Sequence, residues 1–317
     1  MTESLAVVLA RPEQLELRSL PLAPGASDDV LVDVEWTGIS TGTERLLYRG
    51  LMPPFPGLGY PLVPGYETVG RVVDPGGSAA LHPGDRVFVP GANCFGDVRS
   101  LFGGSASRLR VPAARIRRID EGLAEHGILL ALAATARHAM VGGDGRLPDL
   151  IVGHGVLGRL LARLTLAAGG TPTVWETNPR RQTGATGYRV IDPQDDDSRA
   201  YRCICDVSGD ASILEALIGR LDRGGEIILA GFYSDRLAFD FPLAFMKEAK
   251  LRVAAEWKPE DLDASIELVS SGRVSLDGLI THRRPFDHVG DAYRTAFDDP
   301  DCLKMSIDWR TAHDGRC

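Results

Sequence analysis

Hydrophobic positions in the first ~120 residues fall in short runs, each broken by glycine or proline. Leu5–Leu9, Val30–Trp36, Glu67–Val73 and Arg86–Pro90 read as strands. Such runs between turn residues predict a compact, antiparallel, barrel-like unit. The segment LMPPFPGLGYP at 51–61 is too rich in proline and glycine for a helix and reads as an apolar loop. From Glu121 the spacing lengthens. Glu121–Met140 predicts a helix. Strands at Leu150–Val152, Thr173–Glu176, Cys203–Val207, Glu226–Ala230 and Leu251–Glu256 then alternate with helices at Arg159–Ala168, Ala211–Leu221 and Pro242–Glu248. Gly169-Gly170 closes the first of these helices. The alternation predicts βαβ units on a parallel sheet, so the chain is an α/β protein. Helices at Glu260–Ser270 and Asp287–Phe297 and a strand at Lys304–Trp309 complete the pattern, and Asp195–Asp197 reads as a solvated loop. The expected organisation is a β domain over 1–125, a sheet-and-helix domain over 126–275 and a C-terminal segment over 276–317.

Composition narrows this picture without changing it. A chain of 317 residues, 44% hydrophobic and 25% charged, fits about two domains with their own cores. The net charge of -8 disfavours a nucleic-acid partner. No apolar run reaches the roughly 18 residues that cross a bilayer, so no integral membrane segment is expected. The first residues, MTESLAVVLARPEQ, lack a basic leader and a cleavage pattern, which predicts a cytoplasmic protein. The five cysteines, Cys94, Cys203, Cys205, Cys302 and Cys317, show no CxxC spacing and read as free thiols of a reducing compartment.

The first chemical signal is Gly153-His154-Gly155-Val156-Leu157-Gly158. It matches GxGxxG after a strand and at the head of a helix, the context a dinucleotide needs. Gly153 permits the tight turn, Gly155 lets the backbone approach a pyrophosphate, and Gly158 lets helix and strand pack closely. The helix start near Val156 and Leu157 offers free N–H groups to the phosphates. Glu176 closes the next strand, 23 positions after Gly153. A carboxylate there binds ribose hydroxyls and repels a 2′-phosphate, which favours NAD over NADP. Arg180 and Arg181 stand close by; they are read as flanking the adenine or facing solvent. His154 is read as facing the pyrophosphate or solvent.

With these residues behind a Gly/Pro-rich β domain, the chain resembles the medium-chain dehydrogenase/reductase superfamily almost end to end. VPGYETVG (63–70), HPGDRV (82–87) and THRRPF (281–286) with Ala292-Tyr293 carry the likeness. It implies a GroES-like β-barrel catalytic domain plus a Rossmann doubly wound parallel-sheet domain. GISTGTER (38–45), MPPFPG (52–57), GYPLVPGYE (59–67), GHGVLGRLLARL (153–164) and Trp175-Glu176 are similar to the bacteriochlorophyllide a dehydrogenases within it. Those enzymes oxidise the 3-(1-hydroxyethyl) group of a bacteriochlorophyllide to acetyl with NAD+ as acceptor. By the same likeness, Ser208, Gly231 and Phe232 are expected beside the cofactor, and a homodimer is expected along an exposed edge at Leu251–Glu256.

In zinc-dependent members, the resemblance places metal ligands where this chain has Ser40, Tyr66 and, if Thr135 marks the register, Ala131. A catalytic zinc needs three ligands from Cys, His, Asp and Glu. Glu67 alone cannot hold the ion, so no metal is expected. Side chains must then stabilise the developing alkoxide and take the hydroxyl proton. Tyr66 is a candidate as hydrogen-bond donor, or as proton relay if its pKa is lowered. Ser40, Thr41 and Thr43 are candidates for a hydroxyl relay towards the ribose. Glu44 and Glu67 are candidate bases, and Glu67 reads better as orienting nearby backbone or Arg45. Met52, Phe55, Leu58 and Tyr60 are candidates for a substrate wall or for a loop that merely covers the barrel end, with Arg45 or Arg49 against a propionate. Two further readings stand open: a zinc-free NADPH-dependent quinone or enoyl reductase, and a non-catalytic dinucleotide-binding regulator.

Overall fold

The computed structural model describes residues 2–54, 56–143 and 145–313. The chain divides into two compact units, Met1–Ala131 with Leu279–Cys317, and Leu132–Gly278. The first unit begins with β1 (Glu3–Arg11), β2 (Gln14–Pro21) and β3 (Asp29–Ile39), then the short helix α1 (Thr43–Arg49). β4 (Leu62–Pro64), β5 (Thr68–Asp74), β6 (Arg86–Val89), β7 (Arg99–Leu101), β8 (Arg108–Pro112) and β9 (Arg117–Arg118) follow. Helix α2 (Leu130–Val141) spans the boundary between the units in sequence. The second unit carries β10 (Leu150–Val152), α3 (Val156–Ala167), β11 (Thr173–Trp175), β12 (Arg189–Ile191), β13 (Tyr201–Asp206), α4 (Leu214–Arg220), β14 (Leu221–Leu229), α5 (Phe241–Lys247), β15 (Lys250–Val253) and α6 (Pro259–Ser270). The chain returns to the first unit with β16 (His282–Pro285), α7 (Val289–Asp298) and β17 (Met305–Asp308).

In the first unit, one sheet has the order β2-β1-β4-β7 and the other β16-β17-β3-β5-β6-β9, with β8 also paired to β3. Most pairs are antiparallel, and β4/β7 and β16/β17 are parallel. β3 is the organising strand. Its last residue, Ile39, lies opposite Met305 of β17, and Thr37 lies opposite Thr68 of β5. That register brings Ser40, Glu67 and Lys304 to one end of three neighbouring strands. Helix α7 buries Val289, Ala292, Tyr293 and Ala296 in the same core as Val34, Ile39 and Trp309. The stripe repeats every three to four residues, as a helix laid on a core requires.

The second unit holds a six-stranded sheet, β12-β11-β10-β13-β14-β15, in which every pair is parallel. From β10 the order runs outward through β11 on one side and β13 on the other. The loops after β10, β11, β13 and β14 therefore meet at the carboxyl ends of the strands, at the point where a doubly wound sheet reverses direction.

The structure corrects several sequence expectations. The helix expected over Glu121–Met140 is a 3₁₀ segment to Leu129, interrupted at Ala124 (φ 40°, ψ −126°), before α2 begins. Gly122 and Gly127 lower helix propensity along this stretch. Asp196 of the supposed solvated loop is buried, accepting hydrogen bonds from Trp175 Nε1 (2.7 Å) and Tyr201 Oη (2.5 Å). Cys94, Cys203, Cys205 and Cys302 are free and buried, while Cys317 lies outside the described residues. Among the described residues, no helix is long and apolar enough to cross a membrane.

Candidate active site

The first cluster lies wholly in the first unit. Ser40 follows β3, Thr43 and Glu44 open α1, and Tyr66 and Glu67 join β4 to β5. Ser40 Oγ and Tyr66 Oη share a hydrogen bond of 2.7 Å. Thr43 also hydrogen-bonds Tyr66 through its side chain. Burial and the neighbouring Glu67 push the Tyr66 hydroxyl up from its ordinary value. Tyr66 is therefore a neutral phenol at physiological pH, a donor and not a base, which corrects the expectation that it relays a proton through a lowered pKa.

Glu67 is fully buried, and both its oxygens accept from Lys304 Nζ, at 2.8 and 2.7 Å. Lys304 Nζ also donates to the Ile39 carbonyl at 3.1 Å. Burial raises the Glu67 pKa, and the Lys304 ammonium pulls it back. Gly38 makes this pair possible: a Cβ there would stand 2.1 Å from Glu67 Oε2. Glu67 thus orients a lysine 237 positions away and not Arg45, which is exposed.

Glu44 is also buried. Oε1 accepts from the Ser40 N–H at 3.0 Å, and Oε2 accepts from Tyr293 Oη at 2.5 Å. Its pKa is pushed up to about 7, chiefly by burial and partly by Glu67, against hydrogen bonds from Tyr293 and Ser40 and the charge of Lys304. Two carboxylates that looked alike in sequence therefore differ. Glu67 is committed to a cation, and Glu44 sits near its titration point. Tyr293 and Lys304 went unrecognised as site residues; the available signals were a tyrosine on the apolar stripe of α7 and a lysine inside an apolar strand pattern.

The donor set does not fit zinc. Ser40 and Tyr66 present neutral hydroxyls bonded to each other, Ala131 is a buried methyl group, and Glu67 is taken by Lys304. Among the described residues, no group of three or more His, Cys, Asp or Glu is arranged to hold a metal ion.

The apolar loop packs on the first unit. Met52 is buried with Leu9, Leu47, Leu62 and Leu101, and the partly buried Leu58 and Tyr60 pack on the same cluster. Tyr60 Oη donates to the Leu47 carbonyl at 2.5 Å. This packing favours the covering role for Met52; Phe55 lies outside the described residues. Arg49 pairs with Asp298 at 2.9 Å.

The second cluster lies in the second unit. The turn Gly153–Gly158 joins β10 to α3. Gly158 packs so tightly that a Cβ would stand 1.9 Å from the Gly153 carbonyl oxygen. Nothing lies within 4 Å of where a Cβ would stand on Gly155, so the backbone offers an open cradle that suits a pyrophosphate. Val156 is buried at the first turn of α3, with Leu157 half-buried beside it. Glu176 follows β11, and its oxygens accept from the N–H groups of His154 (3.0 Å) and Asn178 (2.8 Å). These bonds fix the carboxylate next to the phosphate turn. Arg180 is exposed and Arg181 half-buried.

His154 faces neither pyrophosphate nor solvent, contrary to expectation. It is buried between the Arg181 carbonyl (2.5 Å) and Tyr188 Oη (2.8 Å), and burial lowers its pKa to about 4. It is a neutral structural residue that ties the turn to the segment after β11. Ser208, after β13, donates its N–H to Asp206 Oδ1 at 2.9 Å. Tyr233 Oη, after β14, donates to Asp206 Oδ2 at 2.8 Å. Asp206 thus anchors both loops, including Gly231 and the exposed Phe232.

Comparison with known proteins shows the family of the chain. Residues 26–121 match the alcohol dehydrogenase GroES-like domain. The chain is 56% identical over 312 residues to the 2-desacetyl-2-hydroxyethyl bacteriochlorophyllide A dehydrogenase of Rhodobacter capsulatus, covering 98% of this chain and 99% of that one. It is 57% identical over 311 residues to the protein of the same name from Cereibacter sphaeroides, covering 96% and 98%. The crystal structure of 2R,3R-butanediol dehydrogenase from Bacillus subtilis superposes with a TM-score of 0.83 at 21% identity, over 96% of this chain and 99% of that one, which shows the shared fold. The chain therefore belongs to the medium-chain dehydrogenase/reductase superfamily and, within it, to the bacteriochlorophyllide A dehydrogenase family.

Proposed function

We propose that this protein oxidises the 3-(1-hydroxyethyl) group of a bacteriochlorophyllide to 3-acetyl, using NAD and no catalytic zinc. The Ser40–Tyr66 hydroxyl pair, standing where zinc-dependent relatives keep metal ligands, carries the reading. The dinucleotide, held by the cradle at Gly155, Val156 and Leu157, supplies the hydride acceptor. If Ser40 Oγ–H donates to Tyr66 Oη, the Tyr66 proton is free to reach the substrate oxygen. A phenol in a water-poor pocket then stabilises the developing alkoxide that zinc stabilises elsewhere. Glu176, fixed by two backbone N–H groups, accepts from ribose hydroxyls and repels a 2′-phosphate. The near-identity of length with relatives that bear the pigment's name supports the substrate.

The exposed guanidinium of Arg45, one residue from Glu44, is the partner offered to a substrate propionate, since Arg49 is held by Asp298. The edge strand β15, with Leu251 39% and Val253 73% exposed, supports a homodimer joined there. The test is direct: purified protein, NAD+ and the hydroxyethyl pigment, with NADH and the acetyl product followed together. Tight NAD binding without turnover sinks the reading.

A further inference from the structure

Resting on that reading, we infer that Lys304 is the positioning residue of the Ser40–Tyr66 hydroxyl pair: one buried ammonium ties together the two chain segments that carry the hydroxyls. An ammonium has three protons to donate. Lys304 Nζ places them on the Ile39 carbonyl at 3.1 Å and on the two Glu67 oxygens at 2.8 and 2.7 Å. Ile39 precedes Ser40, and Glu67 follows Tyr66. Every acceptor of the ammonium therefore adjoins one member of the pair.

The Ile39 carbonyl and the Ser40 N–H belong to one planar peptide unit. Lys304 grips that unit at its oxygen, and Glu44 Oε1 grips it at its N–H, at 3.0 Å. Tyr293 Oη holds the other Glu44 oxygen from α7. The backbone that leads into Ser40 is thus clamped at both ends of one peptide. On the Tyr66 side, the Glu67 carbonyl accepts from the Gly38 N–H at 2.8 Å, while the Glu67 carboxylate accepts from Lys304. Lys304 is itself fixed. Its carbonyl accepts from the Thr281 and His282 N–H groups, both at 3.1 Å, and the next residue, Met305, pairs with Ile39. The lysine side chain is 2% exposed, so bulk water does not compete for its protons. The pair depends on this control. Its 2.7 Å hydrogen bond joins residues 26 positions apart. A slip of about 1 Å would open it to about 3.7 Å, beyond hydrogen-bond range.

The experiment compares wild type, Lys304→Met and Lys304→Met/Glu67→Leu. The double variant exchanges the ion pair for apolar groups, a change that buried pairs often tolerate without loss of stability. It separates holding the fold from holding the hydroxyls. In both variants kcat for the NAD-dependent oxidation should fall about 10- to 100-fold, as a misplacement of about 1 Å costs. NADH binding, whose cradle lies in the second unit, should be kept. A lysine that only stabilises the fold predicts otherwise: in the double variant, melting temperature and kcat return together.

The protein alone gives a second readout. With tyrosine Cζ isotope-labelled for NMR, the Tyr66 resonance is assigned by its loss in Tyr66→Phe. It should move in both Lys304 variants in the direction it moves in Ser40→Ala, which removes the hydroxyl partner. A double variant with kcat within a few-fold of wild type, or with an unmoved Tyr66 resonance, overturns the inference. If Lys304→Met fails to fold, the double variant decides. A wild type that binds dinucleotide and never oxidises the pigment overturns the functional reading instead, and the Tyr66 resonance still tests the clamp on its own.

Discussion

Replacing Lys304 by methionine leaves the Glu67 carboxyl buried with no cation, and the structure sets the size of the effect. The side chains of the pair are 2% and 0% exposed, and the ammonium makes three hydrogen bonds. Breaking one partner of such a pair costs ~3–5 kcal/mol. The carboxyl has one escape, which is to bind a proton. Starting from its ordinary value of 4.5, that costs about 1.4 kcal/mol for each pH unit above it. The ceiling is therefore about 3.4 kcal/mol at pH 7, about 4.8 at pH 8 and only about 2 at pH 6.

The sign follows from the direction of the shift. Losing Lys304 raises the folded-state pKa of Glu67 further above its unfolded value. The fold is then favoured below the unfolded pKa and loses stability as pH rises towards the folded one. The deficit of Lys304→Met against wild type should thus grow from pH 5 to pH 8. Urea unfolding read by fluorescence of Trp309, fully buried in the same unit, measures it. Adding Glu67→Gln should flatten the pH dependence. A deficit under about 1 kcal/mol, or one that is flat in pH, refutes the claim that the pair carries a buried charge.

Gly158→Ala places a methyl group 1.9 Å from the Gly153 carbonyl, so NADH binding measured by fluorescence should fall at least about tenfold. Glu176→Ala removes the carboxylate that disfavours a 2′-phosphate, so the ratio of NADPH to NADH affinity should rise by about tenfold; an unchanged ratio moves the specificity elsewhere. Arg45→Ala should raise KM for the free-acid pigment several-fold, by about 1 kcal/mol, and leave its methyl ester unaffected. If the proposed dimer joins along this edge, wild type should run as a dimer in light scattering and Val253→Lys as a monomer.

What the sequence disclosed depended on how local each feature is. The phosphate turn, Glu176 and the parallel sheet rest on residues close in the chain, and the strands around them were legible as period and punctuation. The positions of Ser40, Tyr66 and Glu67 were singled out through the family likeness, not by period or punctuation. Their partners were not. Lys304 and Tyr293 reach Glu67 and Glu44 across 237 and 249 positions, only because β17 pairs with β3 and α7 packs on the same core. Polar letters also misled. His154 read as facing the pyrophosphate or solvent and Asp196 as facing solvent, but each is buried among partners that local pattern cannot reveal, Tyr188 for one and Trp175 and Tyr201 for the other.

If Ser40 and Tyr66 stand in the metal positions, as the proposed reading has it, the two carboxylates share an electrostatic consequence. A zinc ion would bring two positive charges to this pocket. Here the cation facing both Glu44 and Glu67 is Lys304, one charge for two carboxyl groups. Lys304 touches Glu67 and only acts on Glu44 at a distance, so Glu67 takes the neutralisation and Glu44 is left to desolvation. A buried carboxyl without a contacting cation is one that binds and releases protons near neutrality. Burial, with smaller contributions from the charges of Glu67 and Glu44, keeps Tyr66 protonated. On the proposed zinc-free reading, the pocket thus holds a hydroxyl that stays a donor and a buried carboxyl pushed up to about 7.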